Sequence, residues 1–136
     1  YLYKKKNPFK HLIYPLPNSN GHGIHAGMDI ENNLRFGPNA KWVDSIEYSF
    51  DENIFEEFCN SIKSYWVNFD PSCLLPDYTG IRSKIVAEGE GTQDFEILDA
   101  SDHGLENLIH LQGIDSPGLT SSLSIAAEVI SKLGIH

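Results

Sequence analysis

The chain has 136 residues, of which 40% are hydrophobic and 21% are charged, as in a soluble globular domain. Its formal net charge of -9 argues against nucleic acid as a partner, because phosphate binding needs a clustered positive surface. No apolar run approaches the roughly 20 residues of a membrane span, so we expect no integral membrane segment. Cys59 and Cys73 form no CxxC pair, which favours reduced thiols in a cytoplasm-like compartment.

The first forty residues carry the pattern of short antiparallel strands. Residues 11–14 form an apolar run, and residues 24–30 alternate between apolar and polar side chains, a period of two that is typical of a half-buried strand. A turn at residues 31–33 would return the chain antiparallel through residues 34–36.

A helix is predicted over residues 51–67. Ser49–Glu52 fits a capping box, with Asp51 as a rival cap. Apolar side chains recur every three to four residues, and we interpret this stripe as core packing rather than as a cofactor contact. The stripe consists of Ile54, Phe58, Ile62 and Tyr65 or Trp66.

The second half of the chain predicts three strands, at residues 81–87, 94–98 and 108–111, and a hairpin joins the first two. A last helix is predicted from about Pro117 to Leu133. Its buried face would carry Leu119, Leu123, Ala126, Ile130 and Leu133. The predicted fold class is therefore α+β, a mainly antiparallel sheet with flanking helices.

The predicted ends of this last helix carry recognisable signals. Ser116 would be the N-cap, with Pro117 at the first helical position, and Gly134 is the expected stop. A helix start at this point presents unpaired N–H groups and a partial positive charge, which suit an anion or an electron-rich carbonyl. Gly113 and Gly118 would let a ligand approach the backbone, and Thr120, Ser121 and Ser122 would add hydroxyl donors. From these residues alone, a capped structural turn is the favoured interpretation.

Four segments, in the same order, resemble the D-amino-acid oxidase superfamily of FAD-dependent amine and hydroxy-acid oxidoreductases, and within it the L-2-hydroxyglutarate dehydrogenase group. Each segment alone is a weak signal, but together they are specific. They are the GIDSPGLTSSLSIA run at residues 113–126, LIYPLP at 12–17 followed by GIH at 23–25, FGPNA at 36–40 and DYTGIR at 77–82.

The resemblance implies FAD as cofactor, although the family's G-x-G-x-x-G fingerprint is absent here. The chain, which begins at Tyr1 and not at Met, is therefore expected to be a C-terminal fragment. Residues 1–100 would form the substrate-binding region, and residues 101–136 would complete the FAD-binding domain. The missing N-terminal FAD-binding segment is then a partner of this one, and the fragment alone should bind FAD weakly or not at all.

The resemblance also implies roles for individual residues. The turn would face the pyrimidine end of the flavin, where backbone donors stabilise the charge that reduction leaves there. Arg82 would grip the substrate carboxylate, and His25 would accept the hydroxyl proton. Tyr14 and Asn39 would line the same pocket. The residues assigned to the cofactor are Gly113, Ile114, Ser116, Pro117, Gly118, Leu119 and Thr120.

Other interpretations of the same side chains are weaker or stay open. Arg82 could be a surface or ion-paired arginine next to Lys84, and His25 could be a structural histidine. A metal site formed by His22 and His25 is a poor hypothesis, because residues three apart on a strand point to opposite faces of the sheet. We expect no metal site. His103 and His110 are interpreted as structural.

The resulting expectation is an FAD-dependent oxidoreductase that oxidises a small 2-hydroxy acid of the L-2-hydroxyglutarate kind by hydride transfer to the flavin. Its electron acceptor would be quinone or oxygen, and its location cytoplasmic or at a membrane periphery. Two alternatives stay open: an amine or amino-acid oxidase of the same superfamily, and a non-catalytic module that binds a small acid or a protein.

Overall fold

The computed structural model describes residues 1–16, 23–91 and 93–135. It divides into two compact units, Tyr1–Ile81 and Arg82–His136, and each is described by itself. The predicted loop at residues 17–21, His22 and Thr92 of the predicted hairpin lie outside the described residues. The predicted boundary after residue 100 falls inside the second unit, so the assignment of residues 1–100 and 101–136 to substrate and cofactor stays a prediction.

The first unit is built on a four-stranded antiparallel sheet with the strand order β2-β3-β1-β4. Two of the four strands, one inside the sheet and one at its edge, have only two residues each, so they carry no periodicity and were not predicted. The strands are β1 (Leu2–Tyr3), β2 (His25–Met28), β3 (Leu34–Gly37) and β4 (Leu74–Leu75).

The predicted hairpin at residues 31–33 is confirmed. Strands β2 and β3 pair from His25 opposite Gly37 to Met28 opposite Leu34. The Asp29 carboxylate closes the turn by accepting the N–H groups of Glu31 and Asn33, both at 2.9 Å. The predicted strand at residues 11–14 is wrong in extent, because only Ile13 makes a bridge, to Ala26.

The first helix is shorter than predicted. A 3-10 turn at Glu52–Ile54 leads into α1 (Phe55–Lys63). Asp51 is the cap, since its carboxylate accepts the N–H of Asn53 at 3.1 Å. The Ser49 hydroxyl instead donates to Glu47, so the proposed capping box at Ser49 is wrong.

The apolar stripe of this helix is core, as predicted. Phe58 is 3% exposed and Ile62 is 0% exposed, and both join an aromatic cluster under the sheet. Tyr65 and Trp66 lie just beyond α1, where their N–H groups both bond to the Ile62 carbonyl and tighten the chain into a turn. The Tyr65 hydroxyl donates to the carbonyl oxygen of Ile24 at 3.0 Å, and burial raises its pKa.

The second unit contains a two-stranded antiparallel sheet and two helices: β5 (Glu96–Leu98), α2 (Ala100–His103), β6 (His110–Gln112) and α3 (Ser122–Lys132). Strand β5 pairs with β6, from Glu96 opposite Gln112 to Leu98 opposite His110. The predicted strand at 81–87 is wrong: residues 82–91, all of which are described, form no strand. Their backbone does not pair with β5. The side chains of Arg82, Lys84 and Ile85 instead contact the turn that follows β6. Helices and antiparallel sheets together confirm the α+β class.

The last helix starts five residues later than predicted. The predicted N-cap at Ser116 and first position at Pro117 are wrong, because residues 116–121 form a separate turn. The predicted buried face is also wrong, since Leu119 and Leu123 are 89% and 84% exposed. Apolar residues surround α3, so periodicity alone does not select the packed side. The stop at Gly134 is confirmed, with φ of +66°.

No helix in the described part of the chain is long and apolar enough to cross a membrane.

Candidate functional site

The turn after β6 is closed by its own backbone and side chains. The Gly118 N–H donates to the carbonyl oxygen of Asp115. A Cβ at Gly118 would lie 2.6 Å from that oxygen and 2.6 Å from Cγ2 of Ile114, so only glycine fits. Gly113 has a φ of +65°, and a Cβ there would lie 3.2 Å from Ile85. Gly118 is therefore required by protein contacts and Gly113 is favoured by its backbone conformation, so the close approach of a ligand is not needed to explain either.

The hydroxyl groups of the turn are engaged within it. The Thr120 and Ser121 hydroxyls each donate to the Pro117 carbonyl at 2.9 Å, and the Ser121 N–H donates to the same oxygen at 3.1 Å. The prediction that Thr120 and Ser121 offer hydroxyl donors to a ligand is therefore wrong for this structure. The side-chain bonds that look like helix capping in the sequence form a turn before the helix.

The turn contains backbone N–H groups that form no hydrogen bond within the described part of the protein. Within the described residues, the N–H groups of Leu119, Thr120, Leu123 and Ser124 donate to no protein acceptor. Leu119 and Thr120 are exposed, and they lie beside the first turn of α3, where the helix dipole is positive. These donors fit an electron-rich oxygen such as a flavin carbonyl. Of the seven predicted cofactor residues, Ser116, Leu119 and Thr120 are exposed and have N–H groups without a protein acceptor among the described residues. The N–H groups of Gly113 and Ile114 also lack such an acceptor, but these residues are half-buried. Pro117 has no N–H, and the N–H of Gly118 is bonded to Asp115.

Arg82 lies beside this turn. The Nε of Arg82 is 3.8 Å from Oδ2 of Asp115, and the Nζ of Lys84 is 2.6 Å from the same oxygen. Together with the contact between Ile85 and Gly113, these pairs align residues 82–85 with the turn. The structure thus brings the predicted substrate arginine and the predicted cofactor turn together within one unit. The structure also agrees with the alternative that Arg82 is an ion-paired arginine next to Lys84, because both side chains pair with the carboxylate of Asp115.

A second group of predicted residues meets in the first unit. The rings of Tyr14 and His25 have centroids 4.2 Å apart, with 47° between their planes. His25 is half-buried and faces Gly37 across the hairpin, so the FGPNA segment begins beside it. Asn39, two residues further on, is exposed. The structure therefore gathers two of the four family-like segments at one end of the sheet.

Arg35 was missed by sequence reasoning. Its side chain, half-exposed on β3, forms ion pairs with Asp29 and Asp77 and lies over the ring of Tyr78, with 5.6 Å from Cζ to the ring centroid. Asp77 and Tyr78 open the DYTGIR segment, so Arg35 ties the start of that segment to the sheet. The available signal was a charged residue between two buried apolar ones, Leu34 and Phe36.

The remaining histidines make local contacts. Nδ1 of His103 accepts the N–H of Leu105 at 3.2 Å, and His110 lies 3.2 Å from the Gln112 amide. Both contacts agree with structural roles. Within the described residues, no three His, Cys, Asp or Glu side chains converge as metal ligands. Cys59 and Cys73 are free thiols.

Comparison with known proteins identifies the class. Residues 2–132 match the DAO family, described as FAD dependent oxidoreductase, and the chain belongs to this family. The resemblance drawn from the four sequence segments is thereby confirmed.

Individual relatives share about a third of their aligned residues with this chain. It is 34% identical over 94% of its length to L-2-hydroxyglutarate dehydrogenase, mitochondrial, of Arabidopsis thaliana, covering 29% of that protein. It is 30% identical over 91% of its length to glycerol 3-phosphate oxidase of Mycoplasma genitalium, covering 31% of it. A glycerol 3-phosphate dehydrogenase of Caloramator mitchellensis is 27% identical, with 25% of it covered. The chain thus spans between a quarter and a third of the length of these relatives.

Proposed function

We propose that this chain is the part of an FAD-dependent oxidoreductase that helps to bind a small 2-hydroxy acid of the L-2-hydroxyglutarate kind and the flavin that oxidises it. The observation that carries the proposal is the placement of Arg82 beside the amide-bearing turn. Family membership and the relative named as an L-2-hydroxyglutarate dehydrogenase support it.

The proposed cofactor contact is the turn of residues 113–120. The exposed N–H groups of Leu119 and Thr120, next to the positive end of α3, would bind the flavin on the side where negative charge develops on reduction. When bound, FAD supplies the acceptor for the two electrons that leave the alcohol carbon. The chain's own contribution is a set of fixed donors that need no rearrangement as that charge appears.

Arg82 is proposed to bind the substrate carboxylate. A planar guanidinium forms two parallel charge-assisted hydrogen bonds with a carboxylate, and this fixes the orientation of the neighbouring carbon. The side chain is 51% exposed, so it is accessible to an incoming acid.

His25 is proposed as the group that accepts the hydroxyl proton when the alcohol is oxidised. An imidazole nitrogen titrates near neutral pH, which makes it a suitable general base. Its ring is held against that of Tyr14. Tyr14 and Asn39 are proposed to line the pocket around it. These roles rest on contacts within the first unit alone.

Glycerol 3-phosphate is a second candidate substrate, because two relatives are named for it. It shares with 2-hydroxyglutarate a secondary alcohol and two negative charges. An amine or amino acid is a third, since Arg82 would bind any carboxylate. The electron acceptor, quinone or oxygen, and a cytoplasmic or membrane-peripheral location belong to the same proposal.

The test uses the gene product that contains this chain, purified with its flavin and kept free of oxygen. Addition of L-2-hydroxyglutarate should bleach the yellow flavin absorbance. Bleaching by glycerol 3-phosphate alone, or by L-glutamate alone, would assign the second or third substrate instead. A flavin-loaded protein that none of the three compounds bleaches would contradict the proposed oxidation.

A further inference from the structure

Two cations converge on a single oxygen beside the turn. The Nζ of Lys84 lies 2.6 Å from Oδ2 of Asp115, and the Nε of Arg82 lies 3.8 Å from the same atom. The first distance is a short charge-assisted hydrogen bond, whereas the second exceeds hydrogen-bond range and is a charge-charge contact. Asp115 therefore holds Lys84 directly and attracts the Nε side of the guanidinium.

The carboxylate is fixed by its surroundings. The Asp115 side chain is only 14% exposed, while those of Arg82 and Lys84 are 51% and 37% exposed. The backbone oxygen of Asp115 accepts the N–H of the buried Gly118, which ties this residue to the closed turn. A largely buried carboxylate between two more exposed cations sets where those cations lie.

The opposite edge of Arg82 stays available. Within the described residues, Asp115 is the one acidic partner of this guanidinium, and it faces Nε. The paired N–H donors of Nη1 and Nη2 lie on a different edge of the planar guanidinium from the Nε–H, and within the described residues they form no hydrogen bond with the protein, so they can bind a carboxylate. Two positive charges against one negative charge leave a net attraction for an anion.

We propose that Asp115 is a positioning residue, which orients the guanidinium of Arg82 through its Nε side and, with Lys84, sets the net charge that receives the substrate anion. This inference rests on the proposed function. It assigns roles to Asp115 and Lys84 that the four family-like segments do not indicate.

If Asp115 and Lys84 have these roles, two substitutions should change the affinity for an anion in opposite directions. Asp115→Asn removes a negative charge, so an anion should bind more tightly while the guanidinium loses its orientation. Lys84→Met removes a positive charge and leaves Asp115 to neutralise Arg82, so an anion should bind more weakly. A purely structural role for the cluster would make both variants bind more weakly.

The experiment measures glutarate, which lacks the reacting hydroxyl, by calorimetry, and turnover of L-2-hydroxyglutarate by steady-state kinetics, in the flavin-loaded gene product. We expect Asp115→Asn to tighten glutarate binding about threefold to tenfold and to lower kcat about tenfold or more. Lys84→Met should weaken glutarate binding by a similar factor. Asp115→Glu, which keeps the charge, should restore most of the wild-type glutarate affinity.

Two controls match these charge changes. Asp51→Asn removes a carboxylate that pairs with Lys41 at 2.7 Å and leaves a good N-cap, and Lys132→Met removes a lysine that pairs with Asp99 at 2.8 Å. Neither should alter glutarate binding. Weaker glutarate binding in Asp115→Asn, or unchanged binding in both site variants, would overturn the inference.

Different results would contradict the proposed function and the proposed role of Asp115. If the wild-type protein binds glutarate but oxidises no 2-hydroxy acid, the proposed function is wrong, and the opposite shifts in glutarate affinity still decide the role of Asp115. If the wild-type protein does not bind glutarate, the inference is wrong.

Discussion

Ile85 packs against Gly113: a Cβ built on this glycine would lie 3.2 Å from Cδ1 and 3.3 Å from Cγ1 of the isoleucine. The contact joins the segment that carries Arg82 to the turn that carries the unpaired amides. It is therefore the point at which the packing of the second unit can be tested most directly.

We expect Gly113→Ala to destabilise the second unit by more than the cost of its backbone conformation alone. A left-handed φ costs an L-residue about 1–2 kcal/mol, and the contact with Ile85 adds to this cost. Gly134→Ala is the matched control, because Gly134 has nearly the same φ, +66°, and nothing within 4 Å of an added Cβ. The difference between the two urea midpoints measures the contact. Equal midpoints would show that Ile85 yields without cost.

Arg82→Lys should raise KM for the acid by about tenfold or more, since a lysine cannot form the two parallel hydrogen bonds of a guanidinium. The flavin spectrum should stay the same, because the turn is untouched. Arg35→Lys replaces the chain's other arginine and serves as the control. It should lower stability through the loss of its contacts with Asp29 and Asp77 but leave KM unchanged. Unchanged kinetics in Arg82→Lys would remove this residue from the site.

Asp99 links the two helices of the second unit. Its carboxylate accepts a hydrogen bond from Lys132 at 2.8 Å and also caps α2, and the Lys132 bond, followed by those from Ser101, holds its pKa well below the usual range. A depressed folded pKa gives stability that is present above the unfolded pKa, about 3.9, and is lost as the pH falls through the folded value.

Asp99→Asn should therefore lower stability near pH 7 and flatten its decline below about pH 4. Asparagine keeps the cap, so the change reports on the ion pair. Urea midpoints at several pH values provide the measurement, with Asp44→Asn, an exposed loop carboxylate, as the control. Parallel pH profiles for wild type and Asp99→Asn would show that this ion pair contributes nothing.

Tyr65→Phe should destabilise the first unit by about 1 kcal/mol. The substitution removes the hydroxyl that donates to the Ile24 carbonyl at 3.0 Å, just before β2, and leaves that buried acceptor unpaired. Tyr48→Phe, at a tyrosine 65% exposed, should change stability by much less. Equal denaturation midpoints for the wild type and both variants would mean that water replaces the lost bond.

The sequence was most informative where one local signal dominated. The β2–β3 hairpin was predicted because residues 24–30 alternate and a polar turn follows, and the core stripe of α1 because Phe58 and Ile62 share one helix face. Strands β1 and β4 have two residues each, so no period exists to detect. Their pairing is decided by contacts between residues distant in sequence, such as Leu2 with Leu75.

The predicted site was harder to read than the fold. Ser116 and Pro117 carry the composition of a helix start, but the Thr120 and Ser121 hydroxyls bond to the Pro117 carbonyl and delay the helix to Ser122. The charges of Arg82 and Lys84 were visible, whereas their shared partner, Asp115, lies about thirty residues away. Only the resemblance to a family brought Arg82 and the turn into one hypothesis.

The Pro117 carbonyl oxygen, which accepts three hydrogen bonds from Thr120 and Ser121, gives the turn a stiffness that irregular backbone usually lacks. A molecule that docks on Leu119 and Thr120 meets donors whose conformation is already settled, so little ordering entropy is lost on binding. Amide hydrogen exchange would make this visible, with slow exchange at Ser121 beside fast exchange at its two preceding neighbours.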